Sequence, residues 1–425
     1  MQLPRFLVLK QQFPDLRLND IRGAVRHELE QAGFAARVAA RKQGAAEIAI
    51  GVGSRGISNL STIVKSVVDY WIAKGHRPSL FPAMGSHGGA TAEGQRDVLA
   101  RYGITDTAMG CPVVSQMETV RTGVTPEGID SFADKSAMAS DGILLINRIK
   151  WHTSFQGTVE SGITKMAAIG LGKIDGARTC HRVARSVGME QVIRAVARQN
   201  VATGKLLGGL GILEDGNHQT ARVAALQPET LIEGEERLLE TVRSWMAKIP
   251  VPAVDVLILD EIGKDISGTG MDTKIVNRGV HGQYNPWPNT PRVERIYVRD
   301  LSNATHGNAV GIGMTDMVHQ RLASKVDPAS TWVNAVTSGS LAAVRMPIHY
   351  PSDRQCLETL AQTVGKADAR EVTFVWARNS LDLGNVAISE NLLAEVEGKS
   401  GMEVVGPPFA LDFDSTGDLI SRLSS

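Results

Sequence analysis

The sequence predicts two α/β domains with mainly parallel sheets and an active-site cleft between them, divided near residue 250 into 1–250 and 251–425. Short apolar runs alternate with amphipathic stretches through the first two-thirds of the chain, the pattern of strands feeding crossover helices. At 425 residues the chain is longer than one ordinary core accommodates. The amphipathic stretch LIEGEERLLETVRSWMAKI (231–249) also runs into Pro250 and Pro252, a helix-stopping pair, before VDVLILD (254–260) opens a new strand.

The elements follow in order. EIAIGV (47–52) reads as a strand, ISNLSTIVKSVVDYWIAKG (57–75) as a helix, SLFPAMG (79–85) as a strand and TAEGQRDVLARYG (91–103) as a helix. GILLINR (142–148) is a buried-type strand, and helical patterning resumes around 162–171 and 189–199. The stretch 263–292, rich in Gly, Asn and Pro, reads as a long loop, and long loops in compact domains often carry function.

Composition narrows the function classes. Forty-five Lys and Arg balance forty-five Asp and Glu, so the electrostatic footprint of nucleic-acid or anionic-lipid binding is missing and a small-molecule partner is expected. Cys111, Cys180 and Cys356 are odd in number and show no CxxC spacing, which argues against a disulfide framework or a thiolate zinc site and fits a reducing compartment. The start MQLPRFLVLKQQF is too short in apolar run for a signal peptide, and no later stretch has the length of a membrane span. The chain therefore reads as a soluble cytoplasmic protein, with self-association left open.

Gly51-Val52-Gly53-Ser54-Arg55-Gly56 matches G-x-G-x-x-G between a strand and a helix, where backbone N–H groups can cradle a phosphate. A dinucleotide site would add an acidic residue at the end of the next strand, yet SLFPAMGSH offers none and Asp69 falls inside the preceding helix. Ser54 and Arg55 suit a mononucleotide phosphate instead, with Gly53 allowing close approach; a plain tight turn with a surface arginine would give the same letters.

Histidines stand at strand ends. Gly85-Ser86-His87-Gly88-Gly89 and Lys150-Trp151-His152-Thr153 each follow a strand, so both imidazoles can project into one crevice and exchange protons on opposite faces of a carbon centre. Loop capping is the structural alternative for each. Ser161-Gly162-Ile163-Thr164-Lys165 places a lysine among small and apolar neighbours, where lost hydration favours a neutral nucleophilic amine, although lysines more commonly cap helices or reach solvent. His181 can ligate a metal through a neutral ring nitrogen, but one histidine alone does not make a site.

This ordered set resembles the nickel-dependent lactate racemase family: Gly85-Ser86-His87, then Ile149-Lys150-Trp151-His152, then Ser161-Gly162-Ile163-Thr164-Lys165, then His181. The resemblance implies a racemase or epimerase of a 2-hydroxy acid, an isomerase whose N-terminal domain is catalytic and binds the cofactor while the C-terminal domain supplies substrate loops. It implies a pyridinium-type pincer mononucleotide attached to Lys165, nickel held with His181, and His87 and His152 as alternating acid and base. The turn Gly53-Ser54-Arg55 would take the cofactor phosphate, and cofactor-maturation enzymes would be partners. Two departures bear on substrate. Val52 stands where the family's phosphate turn begins with aspartate, and the family's Tyr-Gln pair is missing from Lys264-Asp265-Ile266-Ser267-Gly268-Thr269-Gly270-Met271-Asp272-Thr273-Lys274. Lys274 can still reach a carboxylate and Asp272 or Thr273 further hydroxyls, so a 2-hydroxy acid other than lactate is expected.

Other readings stay open: a pyridine-nucleotide oxidoreductase using the glycine loop, a non-catalytic ligand-binding member of the same fold, and a zinc hydrolase drawing on His76, His87, His152 or His181. Trp151, Phe155, Trp287 and Trp376 are candidate walls of the cleft, and each is equally a candidate for ordinary core.

Overall fold

The computed structural model describes residues 1–53 and 56–420. The chain forms two compact units, Met1–Phe13 with Ala247–Ser425, and Pro14–Met246. The boundary expected near residue 250 lies close to the crossing at Ala247, but the first residues sort differently. Strand β1 (Phe6–Gln11) is paired antiparallel inside the unit formed by the C-terminal half. Its FLVLKQ pattern is that of a buried strand, and strand pairing is indifferent to separation along the chain.

In the Pro14–Met246 unit the strands are β2 (Glu47–Val52), β3 (Arg77–Pro82), β4 (Thr119–Val124), β5 (Asp130–Asp134), β6 (Gly142–Arg148), β7 (Leu206–Glu214) and β8 (Thr220–Leu226). Five of them make a sheet in the order β3-β2-β6-β7-β8, parallel except for the last pair, while β4 and β5 form a separate hairpin. Alternation along β2 and β6 splits the core in two. Ile48, Ile50, Leu144 and Ile146 face the helices Ile21–Gln31 and Leu60–Ala73. Ala49, Ile143 and Leu145 face Ile163, Met166, Cys180, Val192, Ile193 and Leu239, contributed by the helical run from Ile163 and by the helices Met189–Ala202 and Leu231–Trp245.

Local signals set the element ends. The helix expected over 57–75 narrows to Leu60–Ala73 because Asn59 (φ 56) and Gly75 (φ 79) both adopt the left-handed conformation. The helix Ala92–Arg101 begins where the Thr91 hydroxyl accepts the Gly94 N–H at 3.0 Å. The helix expected to run to residue 249 ends at Trp245, where Met246 turns to ψ 137. The patterned stretch 162–171 is a short α-turn, Ile163–Lys165, that widens into a π-turn, Met166–Gly170, closed by Leu171 N–H donating to the Met166 carbonyl at 2.8 Å.

The other unit holds β1 with β9 (Ala253–Ile262), β10 (Arg292–Leu301), β11 (Met317–His319), β12 (Ile348–Tyr350), β13 (Phe374–Ala377), β14 (Asn385–Ser389) and β15 (Met402–Phe409). They form one sheet in the order β12-β11-β10-β9-β13-β14-β1-β15, parallel from β12 to β13 and antiparallel beyond. The region expected as loop is the β9–β10 connection. Among the described residues, no helix is long and apolar enough to cross a membrane.

Because β1 lies between β14 and the edge strand β15, its loss damages the unit to which it is non-local. Phe6 is fully buried, with ring centroids of Phe374 and Phe409 at 5.7 and 6.1 Å. Phe6→Ala is expected to cost about 3–5 kcal/mol in that unit while 14–246 stays resistant to limited proteolysis, which pulse proteolysis across a urea series reads.

Candidate functional site

Parallel pairing puts the carboxyl ends of β3, β2 and β6 on one edge of the sheet, with β2 in the middle. From these ends leave the three segments singled out in the sequence: Gly53 after β2, His87 after β3, and His152 after β6 on the way to Lys165. The outer two strands are two spacings apart, roughly 10 Å, a span suited to a small ligand. Ser54 and Arg55 lie outside the described residues.

Each segment is held by a buried polar group that the sequence analysis passed over. For His152 it is Glu160, which is fully buried and accepts the backbone N–H of His152 and, at 3.2 Å, that of Gly157. Arg243 pairs with Glu160 and also donates to the Gly157 carbonyl. Removing one partner of such a pair strands a buried charge, which generally costs about 3–5 kcal/mol. The His152 ring lies 4.5 Å from that of Phe155, and its Nδ1 accepts the Ser154 N–H at 3.1 Å, so the neutral ring carries its proton on Nε2.

For Lys165 the group is Glu235, from the helix Leu231–Trp245. Glu235 is buried and its Oε2 accepts the Thr164 N–H at 2.8 Å, at the start of the turn that ends in Lys165. A side chain at Gly162 would strike the Glu235 carboxylate. Burial pushes the Glu235 carboxyl up to about 7, with hydrogen bonds from Thr164 opposing. Asn147, near the end of β6, donates to the Gly162 carbonyl at 3.0 Å and closes over Gly53, where any Cβ would meet Asn147 and Met166. The glycine turn and the lysine turn therefore share one polar side chain. Past the turn, Arg148 donates to the Gly56 carbonyl at 2.8 Å and pairs with Glu214, which also accepts the Ser58 N–H at 2.7 Å.

Lys165, half-buried, influences His181 on the helix Lys173–Val187. His181 is exposed, yet lost hydration and then the Lys165 ammonium hold its pKa below the usual histidine value. A neutral imidazole is the form that ligates metal. Its neighbour Cys180 is no second ligand: it is fully buried, and burial pushes its thiol up to about 12. His76 stands before β3, at the opposite end of that strand from His87, with Nδ1 accepting the Ala46 N–H at 3.2 Å.

Asp272 and Lys274 belong to the other unit, on the β9–β10 connection, and both are buried. Asp272 Oδ1 accepts the Lys274 N–H at 3.0 Å, the Asp272 N–H donates to Ser380 Oγ at 2.8 Å, and the Lys274 ammonium lies 5.3 Å from the Trp287 ring centre. Trp376 is core, 1% exposed, with its indole N–H on Asp260 at 3.0 Å. Trp151 is buried, while Phe155 and Trp287 are partly exposed.

Comparison with solved structures finds a fold match. The lactate racemase apoprotein from Thermoanaerobacterium thermosaccharolyticum is similar in architecture. It superposes with a TM-score of 0.53 at 12% sequence identity, over 89% of this chain and 99% of that one. At that identity the likeness is one of fold. No protein-family model and no curated protein sequence matches the chain.

Two outcomes follow from these environments. A carboxyl held at about 7 in the folded state and near 4.5 when unfolded keeps its proton longer in the fold, so Glu235 lowers stability as pH rises from about 4.5 to 7. Glu235→Gln is therefore expected to raise stability at pH 8 relative to wild type by roughly 1–3 kcal/mol and to leave it nearly unchanged at pH 4, as urea midpoints at the two pH values would report. Histidine NMR of the apoprotein should place the His181 titration below the usual value, and Lys165→Met should move it upward; no movement would separate the two side chains.

Proposed function

We propose that the chain is a racemase or epimerase of a 2-hydroxy acid other than lactate, working with a lysine-tethered nickel pincer nucleotide. The observation that carries this reading is the convergence of the Gly53, His87 and His152 segments at the carboxyl ends of three adjacent parallel strands, with Lys165 electrostatically coupled to His181. The fold of the lactate racemase apoprotein supports it.

The residues fit the cofactor's chemistry. A lysine on a turn whose N-terminus is capped from below can be held still for covalent attachment, and a histidine kept neutral offers a lone pair to nickel. Lys165 would hold the nucleotide, His181 the metal, and the Gly53-Ser54-Arg55 segment the phosphate. When bound, the group supplies a reversible hydride acceptor.

The chain's own residues manage protons and position. One of His87 and His152 takes the proton of the substrate hydroxyl as the 2-carbon flattens to a carbonyl, and the other returns a proton when the carbon is rebuilt on its opposite face. The stretch Lys264–Lys274 lacks the Tyr-Gln pair that the resemblance ties to lactate, which is why a different 2-hydroxy acid is the expected substrate. Burial of the Glu160 and Glu235 carboxylates leaves both free of a direct role at the substrate.

Protein produced with the cofactor-maturation enzymes should carry a nucleotide-sized adduct on the Lys165 peptide together with nickel, by mass spectrometry and metal analysis. Screened against enantiopure 2-hydroxy acids it should interconvert one pair, with His87→Ala or His152→Ala lowering kcat by roughly 10²–10⁴-fold. An unmodified Lys165 under conditions that mature a lactate racemase would refute the reading and favour a ligand-binding role for the fold.

A further inference from the structure

The unit that carries the two histidines also buries a positive charge that the proposed chemistry does not use. Lys173 opens the helix Lys173–Val187, is fully buried, and holds a left-handed backbone with φ 50. A residue with a side chain stays in that region when its surroundings over-determine it. Its ammonium donates to the Pro82 carbonyl at 2.6 Å and to Gln95 Oε1 at 3.2 Å, and stands 3.2 Å from Asp134 Oδ2. Asp134, also fully buried, uses its other oxygen to accept the Ala137 N–H at 2.9 Å.

The order of these groups has a direction. An ammonium only donates, so Gln95 must turn its carbonyl oxygen toward Lys173. The amide nitrogen then faces the other way, donating to the Gly85 carbonyl at 2.8 Å and the His87 carbonyl at 3.2 Å. With the amide reversed, NH₂ would face the ammonium and oxygen would face two carbonyl oxygens. The same loop is seated by backbone contact: Gly88 (φ 61) lies so close that a Cβ there would fall 2.6 Å from the Gln95 nitrogen. Gly85 faces Ile169 and Ala177, at 3.4 and 3.8 Å from where its Cβ would be, on the π-turn that follows Lys165 and the helix that carries His181.

We propose that Asp134, Lys173 and Gln95 are positioning residues that set the presentation of His87: the carboxylate holds the ammonium, the ammonium orients the amide, and the amide fixes the loop. This rests on the reading of His87 as a proton-transfer group. Lys173 stands three residues past the π-turn Met166–Gly170 that continues from Lys165, so the strut ties the cofactor segment to the histidine loop through one side chain.

The test is hydrogen exchange on the apoprotein with Lys173→Met, Gln95→Glu and Asp134→Asn. In the wild type the His87 and Ala90 amides donate to the Met84 and His87 carbonyls, both at 3.1 Å. In K173M and Q95E they should exchange at least about tenfold faster, while amides of the helix Leu231–Trp245 change by less than about twofold. Q95E decides even where K173M fails to fold. It pairs more strongly with Lys173 but has no N–H for the loop, so a merely structural role keeps or increases protection and positioning loses it. Loaded protein should show kcat reduced about tenfold or more with KM within about threefold. Unchanged His87 and Ala90 exchange in Q95E overturns the proposal. Because exchange needs no cofactor, a loosened loop in protein that racemises no 2-hydroxy acid sustains the strut and refutes the proposed function instead.

Discussion

Parallel pairing of β2 between β3 and β6 is the constraint on which the rest of the Pro14–Met246 unit depends. In a parallel sheet every strand must be re-entered from the same end, so all the outgoing loops share one edge. Neighbouring strands are about 4.8 Å apart, which brings three loops far apart in sequence within one ligand's breadth. The continuous apolar runs that bury both faces of the sheet therefore also fix where polar chemistry can gather.

Loops rich in glycine do not hold their own shape, and here their shape comes from charged and polar groups buried elsewhere in the unit. Glu160 with Arg243 grips the His152 segment, Glu235 caps the Lys165 turn, and Lys173 with Asp134 reaches the His87 loop through Gln95. Arg243, Glu235 and Lys173 come from segments more than 70 residues from the groups they hold. Buried ionised groups add little net stability, since desolvation offsets their attraction, but they are intolerant of misplacement. That intolerance is what a site requiring sub-ångström placement needs.

The other unit shows the same device in a different setting. Asp353 is fully buried and accepts from Tyr297, Arg299, Arg321 and the Leu419 N–H. Burial pushes its carboxyl up, but the Arg299 hydrogen bonds and charge outweigh that and hold it at about 2. His319, Asp353 and Asp418 are close enough to share a cation, yet Arg299 and Arg321 already balance the carboxylates. The cluster binds the segment around Leu419 to the sheet.

Sequence pattern determined the elements and their type: short apolar runs at 47–52, 79–85 and 142–148 and the helix after Thr91 are where local chemistry places them, and the strand-end positions of His87 and His152 follow from those runs. The likeness in architecture to a lactate racemase apoprotein was legible in the order of His87, His152, Lys165 and His181. Pairing of β1 with β14 and β15 was not, because strand partners are chosen by edges that exist only after folding. Nor were Glu160, Lys173 and Glu235, charged letters that read as solvated surface. Local sequence determines backbone preference and hydrophobic period, whereas burial of a charge is decided by residues tens or hundreds of positions away, and that decision alone separates an anchor of the site from a surface ion.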